Sequence, residues 1–255
     1  MKIAFITGSS RSGTSILGEM VAAHPDVSYV YEEEVWKKLV NENNGSHVVS
    51  VKDVTDQKKQ KLRSWMNCYK KDDKIIVEKN PRHIARLPLI KAIFPEAKII
   101  HIVRDGRDVA CSLKTGLCGK TWAHVKPPNW KKIEKNYEGI IRCAHAWRET
   151  MEVAIKDLTI ISHLKVRYED LLADPEKVAA RVLRYLDLKP HTNVTTFCKN
   201  IQNDMEDSYV AKHQTRWYTN DHANRIGRWK ENMTEEEQKE VEIILRPVLN
   251  HFGYK

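Results

Sequence analysis

With 255 residues the chain is long enough to bury one sizeable core, and its formal charge of +9, from 43 lysines and arginines against 34 acids, favours an anionic partner. Its five cysteines include no C-x-x-C pair and leave one over under any pairing, which argues against a disulfide framework or a zinc site and for a reducing compartment. No apolar run is long enough to span a membrane, and Met1-Lys2 leads straight into a strand pattern. A cytoplasmic protein without membrane association is therefore expected, with earlier removal of a leader left open.

Short β-branched apolar runs alternate with helical patterns along the chain. That alternation predicts a single α/β domain over residues 1–255, a three-layer parallel sheet flanked by helices. The first expected strand is Lys2–Thr7. It runs into "GSSRSGTS", after which Ile16, Leu17, Met20 and Val21 recur at helical spacing until Pro25. A nucleoside-triphosphate loop reads G-x-x-x-x-G-K-[ST], its lysine reaching the outer phosphates and its hydroxyl holding magnesium. Here Gly8 and Gly13 keep the spacing, Thr14 stands in the lysine's place, and the cation has moved into the loop as Arg11. The backbone amides of such a turn and the following helix dipole converge on one point, so Arg11, Ser12, Gly13, Thr14 and Ser15 can cradle a phosphate without a metal.

Further strands are expected at Lys74–Val77, Lys98–Val103 and Leu164–Tyr168. The polar, lysine-rich stretch 41–73 and the stretch 115–136, with its glycines, Trp122 and Trp130, read as excursions suited to binding an acceptor. Asp174-Pro175 marks a helix start, and Thr234 with Glu237 has capping-box spacing. A second cluster, "IHIVRDGRDVACSL", carries Arg104 to the end of a strand and Ser112 eight residues further on. Ligands of open α/β sheets collect beyond the carboxyl ends of the strands. There a guanidinium fork and a hydroxyl suit an isolated phosphate, the competing use of Arg104 being an ion pair with Asp105 or Asp108.

Carrying both clusters, the sequence resembles the sulfotransferases that use 3′-phosphoadenosine 5′-phosphosulfate (PAPS) and release 3′-phosphoadenosine 5′-phosphate (PAP). The resemblance implies the P-loop NTPase-like sulfotransferase fold, with the first loop on the 5′-phosphosulfate and Arg104 and Ser112 on the 3′-phosphate. "VRYEDLLADP" is similar to the family segment whose tyrosine, here Tyr168, contacts adenine. "RIGRWKENMT" is similar to the segment that closes over the 3′-phosphate, here with Arg225, Gly227 and Arg228. The implied reaction moves a sulfuryl group in line to a hydroxyl or amine of a small-molecule or carbohydrate acceptor. Because that group bears less charge than a phosphoryl group, fixed cations and amides can replace a metal, and none is expected.

Members that sulfate small phenols and steroids use a histidine where this chain has Asn80. The stretch "RSGTSILGEMVAAHPDVSYVYEEE" instead resembles the tyrosylprotein and carbohydrate branches. That likeness implies Glu32 as the base, with Lys79 and Arg11 stabilising charge on the leaving oxygen; Glu33, Glu34 and His83 stand as rivals of Glu32. A protein-tyrosine acceptor and a nucleotide-binding, P-loop kinase-like protein are the alternative readings. The second lacks its lysine and magnesium ligands. A nucleic-acid partner is not expected, because "KKQKLR" and "NWKKIEK" lack interleaved aromatic platforms. Homodimerisation is left open.

Overall fold

In the computed structural model, which describes residues 1–39, 45–115, 122–202 and 226–255, five strands form one parallel sheet in the order β2-β3-β1-β4-β5. They are β1 (Ile3–Thr7), β2 (Val27–Tyr31), β3 (Ile75–Lys79), β4 (Lys98–Val103) and β5 (Leu164–Arg167). Parallel pairing with helical crossovers covers both faces, so the strands are apolar on both sides. Side chains on β1 divide by parity: Ile3 and Phe5 enter one core, Ala4 and Ile6 the other.

The first core is closed by α3 (Asp56–Asn67), α4 (Leu87–Ile93), α5 (Gly106–Thr115), α7 (Gly139–Leu158) and α12 (Glu235–Phe252). The second is closed by α1 (Thr14–Ala22), α8 (Tyr168–Ala173), α9 (Pro175–Tyr185) and α10 (Thr192–Gln202). Short helices α2 (Val35–Leu39), α6 (Trp130–Asn136) and α11 (Trp229–Asn232) complete the described elements. No described helix is long and apolar enough to cross a membrane.

The expected helix starts are present. Asp174 accepts the Lys177 amide at 3.0 Å, and Thr234 and Glu237 form a reciprocal capping box. The sheet differs from expectation by one strand. "VSYVY" follows so closely on "HPD" that it reads as the exit from α1, yet it pairs along β3 and forms an edge of the sheet. The polar stretch 41–73, expected as an excursion, contains the 12-residue α3, which buries Leu62 and Met66 in the core, leaves Lys61 exposed and pairs Lys59 with Asp56. In the stretch 115–136, Trp122 and Trp130 pair with each other. Their rings pack on each other at 4.5 Å, and Trp130 is buried with Ile133 and Ala146.

Candidate functional site

The described candidate residues follow the carboxyl ends of the strands: Arg11 to Ser15 after β1, Glu32 after β2, Lys79 at the end of β3, Arg104 after β4 and Tyr168 after β5, with Ser112 on α5 and Gly227 and Arg228 just before α11. The loop after β1 is fixed from below. The Thr7 hydroxyl donates to the carbonyls of Asn80 (3.1 Å) and Pro81 (3.3 Å), and a Cβ added at Gly8 would overlap the carbonyl of Ile102. The Ser12 amide donates to Ser9 at 3.1 Å, closing a turn in which Arg11 (φ 71°) and Gly13 (φ 93°) take left-handed conformations. Gly13 is required twice over, since a Cβ there would also run into the Tyr168 ring.

No side chain caps the first turn of α1. Its amides therefore point outward with the positive end of the helix dipole. The Ser12 hydroxyl, buried in the same turn, makes no hydrogen bond among the described residues. Uncapped amides and an unsatisfied buried donor together fit an anionic group such as the 5′-end of PAPS.

Lys79 ends β3 in register with Ile6 on one side and Tyr31 on the other. Its side chain is fully buried. The ammonium donates to the Ser15 hydroxyl at 3.1 Å, pairs with the Glu32 carboxylate and lies 3.7 Å from the centre of the Tyr31 ring. The three glutamates that the sequence leaves in competition separate clearly. Glu32 turns back to Lys79, Glu33 accepts the Tyr69 hydroxyl at 2.8 Å, and Glu34 pairs with Lys37 at the surface. A left-handed φ of 42° at Glu32, with its amide donating to the Lys79 carbonyl at 3.0 Å, re-aims that side chain after the strand ends. The Glu32 side chain remains 41% exposed.

It opens onto a cleft of about 80 Å³ lined by Ser10, Trp36, Lys37, Arg82 and Arg86 among others. Asn80 does not act there as a histidine would: its side-chain oxygen accepts the Arg82 amide at 3.1 Å and caps the short helix Pro81–Ala85. His83 is wholly enclosed. Its ring lies 4.5 Å from that of Trp36, its Nδ1 accepts from Arg86 Nε at 3.2 Å, and Nε2 sits 3.2 Å from the buried Glu78. Burial lowers its pKa against the opposing pull of Glu78. A ring this buried, with Nδ1 bonded to Arg86 and Nε2 facing Glu78, does not line the cleft.

Arg104 emerges from β4 almost fully buried. Its Nη1 donates to the Arg11 carbonyl at 3.2 Å, its guanidinium lies 4.6 Å from the centre of the Tyr168 ring, and Nη2 approaches Asp108 at 3.9 Å. Tyr168 thus packs beneath the loop and under Arg104. Ser112, two turns into α5, accepts from Arg11 Nε at 2.9 Å. Residues expected on opposite ends of the nucleotide are thus in contact through Arg11.

The late segment reaches the same place. Gly227 and Arg228 sit beside α5, with the Gly227 amide already donating to Asp108 at 2.8 Å; Arg225 lies outside the described residues. Sequence reasoning missed Ser10, whose hydroxyl accepts the Val125 amide at 3.2 Å and ties the 122–129 segment to the loop. A serine among serines carried no signal. It also missed Trp36, which walls the cleft and donates to Glu78 at 3.0 Å; its place two residues after "EEE" was the available hint.

Comparison with known proteins gives the chain a family. Residues 4–193 match the model of the sulfotransferase family. The chain is similar to Protein-tyrosine sulfotransferase A of Caenorhabditis elegans, 22% identical over 268 residues that cover 98% of this chain and 66% of the worm protein. It spans about half to two thirds of the curated protein-tyrosine sulfotransferases from worm and zebrafish that it matches. Among solved structures it resembles the sulfotransferase domain from the curacin biosynthetic pathway, with a TM-score of 0.62, 17% identity, and 99% of this chain and 97% of that one covered. It also resembles mouse sulfotransferase SULT7A1 complexed with PAP, with a TM-score of 0.59, 14% identity, and 98% and 85% covered. The family match over residues 4–193, more than half of the chain, leads to one statement: this chain belongs to the sulfotransferase family.

Proposed function

We propose that the protein transfers the sulfuryl group of PAPS to a hydroxyl or amine of a small-molecule or carbohydrate acceptor. The observation that carries this reading is the buried Lys79 holding the Glu32 carboxylate at the mouth of an uncapped phosphate loop. PAPS supplies a sulfuryl group joined to a phosphate that can leave. The Ser12 hydroxyl and the amides from Gly13 to Ser15 hold the 5′-phosphosulfate. Lys79 and Arg11 supply positive charge where the bridging oxygen becomes anionic.

Glu32 accepts the acceptor's proton as its oxygen or nitrogen bonds to sulfur and the sulfur–oxygen bond to the 5′-phosphate breaks. Arg104, Ser112 and Arg228 hold the 3′-phosphate, with Arg225 and Gly227 in the same segment and Tyr168 supporting the loop. The cleft beside Glu32 admits the reacting end of an acceptor, the rest extending outward. Free cysteines at 68, 111, 143 and 198 accord with a cytoplasmic setting.

A protein-tyrosine acceptor is the second reading, favoured by the likeness to the worm enzyme along nearly the whole chain. Sulfur-labelled PAPS incubated with the protein and either host metabolite fractions or a tyrosine peptide separates the two. Label in small molecules supports the first reading and label in the peptide the second. Protein that binds PAP but labels nothing in any fraction, over a range of pH, contradicts both.

A further inference from the structure

The motif between Arg104 and Ser112 contains two residues that the proposed chemistry leaves unused, and both are turned toward the late segment. Asp108, in the first turn of α5, is 1% exposed; its carboxylate accepts the amides of Gly227 at 2.8 Å and Trp229 at 3.2 Å. One residue before it, Arg107 places its guanidinium 4.3 Å from the centre of the Trp229 ring. That guanidinium is itself held on several sides. It donates to Asp105 from Nε (3.0 Å) and Nη2 (2.7 Å), to Glu242 from Nη1 (3.0 Å), and to the Lys255 carbonyl from Nη2 (2.7 Å). Gly227 turns left-handed with φ 75° so that amides two residues apart converge on one carboxylate.

Burying a carboxylate next to a site meant for phosphate is costly, and two charge-assisted amide bonds with Arg104 close by offset that cost. Such a feature persists where it fixes something. The backbone it holds is that of the turn carrying Arg228.

Building on the PAPS reading, we propose that Asp108 and Arg107 form a dock for the 227–229 turn, and that preference for a nucleotide bearing a 3′-phosphate depends on this dock although neither residue need touch the ligand. Asp108 and Arg107 are positioning residues in this scheme, and Gly227 serves by its turn rather than by direct donation.

Calorimetry with PAP and with AMP tests it. Wild-type protein is expected to prefer PAP. Asp108→Asn turns one acceptor oxygen into a donor facing an amide, so the affinity for PAP should fall about tenfold, the equivalent of one charge-assisted hydrogen bond, while AMP binding stays level. Amide exchange in peptide 226–233 should accelerate in the same variant. Trp229→Ala breaks the second contact of the dock without altering the buried carboxylate; it should move the PAP-to-AMP ratio the same way and serves if Asp108→Asn does not fold. A wild-type preference for PAP left unchanged by the foldable variants overturns the dock alone. Equal wild-type affinities for PAP and AMP overturn the PAPS reading and the dock with it.

Discussion

The two proposed phosphate pockets are built in opposite ways. The first comes from one continuous stretch, Gly8 to Ser15, whose donors are backbone amides aimed by two left-handed residues and a helix start. A single buried cation, Lys79, backs it from the neighbouring strand. The second has no such backbone. Its guanidinium, hydroxyl and turn come from β4, α5 and the segment before α11, brought together by a buried carboxylate. A pocket made of consecutive amides is set once the strand–turn–helix forms, whereas one assembled from distant segments needs tethers, and Arg11, bonded to Ser112, joins the two.

Substitutions can break that division of labour. Glu32→Gln should have the largest effect, lowering turnover by a factor on the order of 10²–10⁴, as loss of a general base does, while calorimetry finds PAP binding unchanged. Normal turnover in Glu32→Gln with loss in Glu33→Gln would move the base by one residue.

Arg11→Ala probes the link between the pockets. Removing a charge that faces phosphate costs about 2–5 kcal/mol, and here both turnover and PAP affinity should fall, because the side chain proposed to neutralise the leaving oxygen also donates to Ser112. A loss confined to turnover would mean that the bond to Ser112 is incidental.

Gly13→Ala tests the backbone-built pocket on its own. A Cβ at φ 93° is strained by roughly 1–2 kcal/mol, and overlap with the Tyr168 ring adds to this, so thermal unfolding should shift down and AMP binding weaken. An unchanged melting temperature would show that the loop accommodates the methyl by moving.

His101 lies in β4, three residues before Arg104, and sharpens the comparison from outside it. Burial lowers its pKa to about 3, with His163 and Lys165 adding to the effect. The unfolded chain titrates near pH 6.5, so it binds the extra proton first, and stability is lost as pH falls below that value. His101→Leu removes this term. Its stability advantage over wild type should widen by about 2 kcal/mol between pH 7 and pH 5, at about 1.4 kcal/mol per unit below pH 6.5, with PAP affinity unaltered. Parallel stability curves would contradict the assignment.

What could be read in the sequence follows the same division. The loop was legible because strand, glycine turn and apolar helix are local signals, and β4, followed by Arg104, because four of its six residues are β-branched. Strand β2 was not, since "VSYVY" has only five residues, mixes Ser28 and Tyr31 with its apolar positions and follows directly on the turn that ends α1. Choosing Glu32 over its two neighbours needed the left-handed φ at that residue and the hydroxyl of Tyr69, a contact 36 residues away along the chain. Asp108 gave no sign of its hold on the late segment. In the sequence it is a helix-start acid and a partner for Arg104, and its bonds to Gly227 and Trp229 exist only once α5 and the late segment meet.

The most direct test of the central claim is titration of the wild-type protein with PAP, AMP and adenosine 3′-phosphate under one set of conditions. Two cooperating pockets predict PAP binding at least tenfold tighter than either monophosphate, each of which engages only one pocket. Equal affinities for all three would contradict the account.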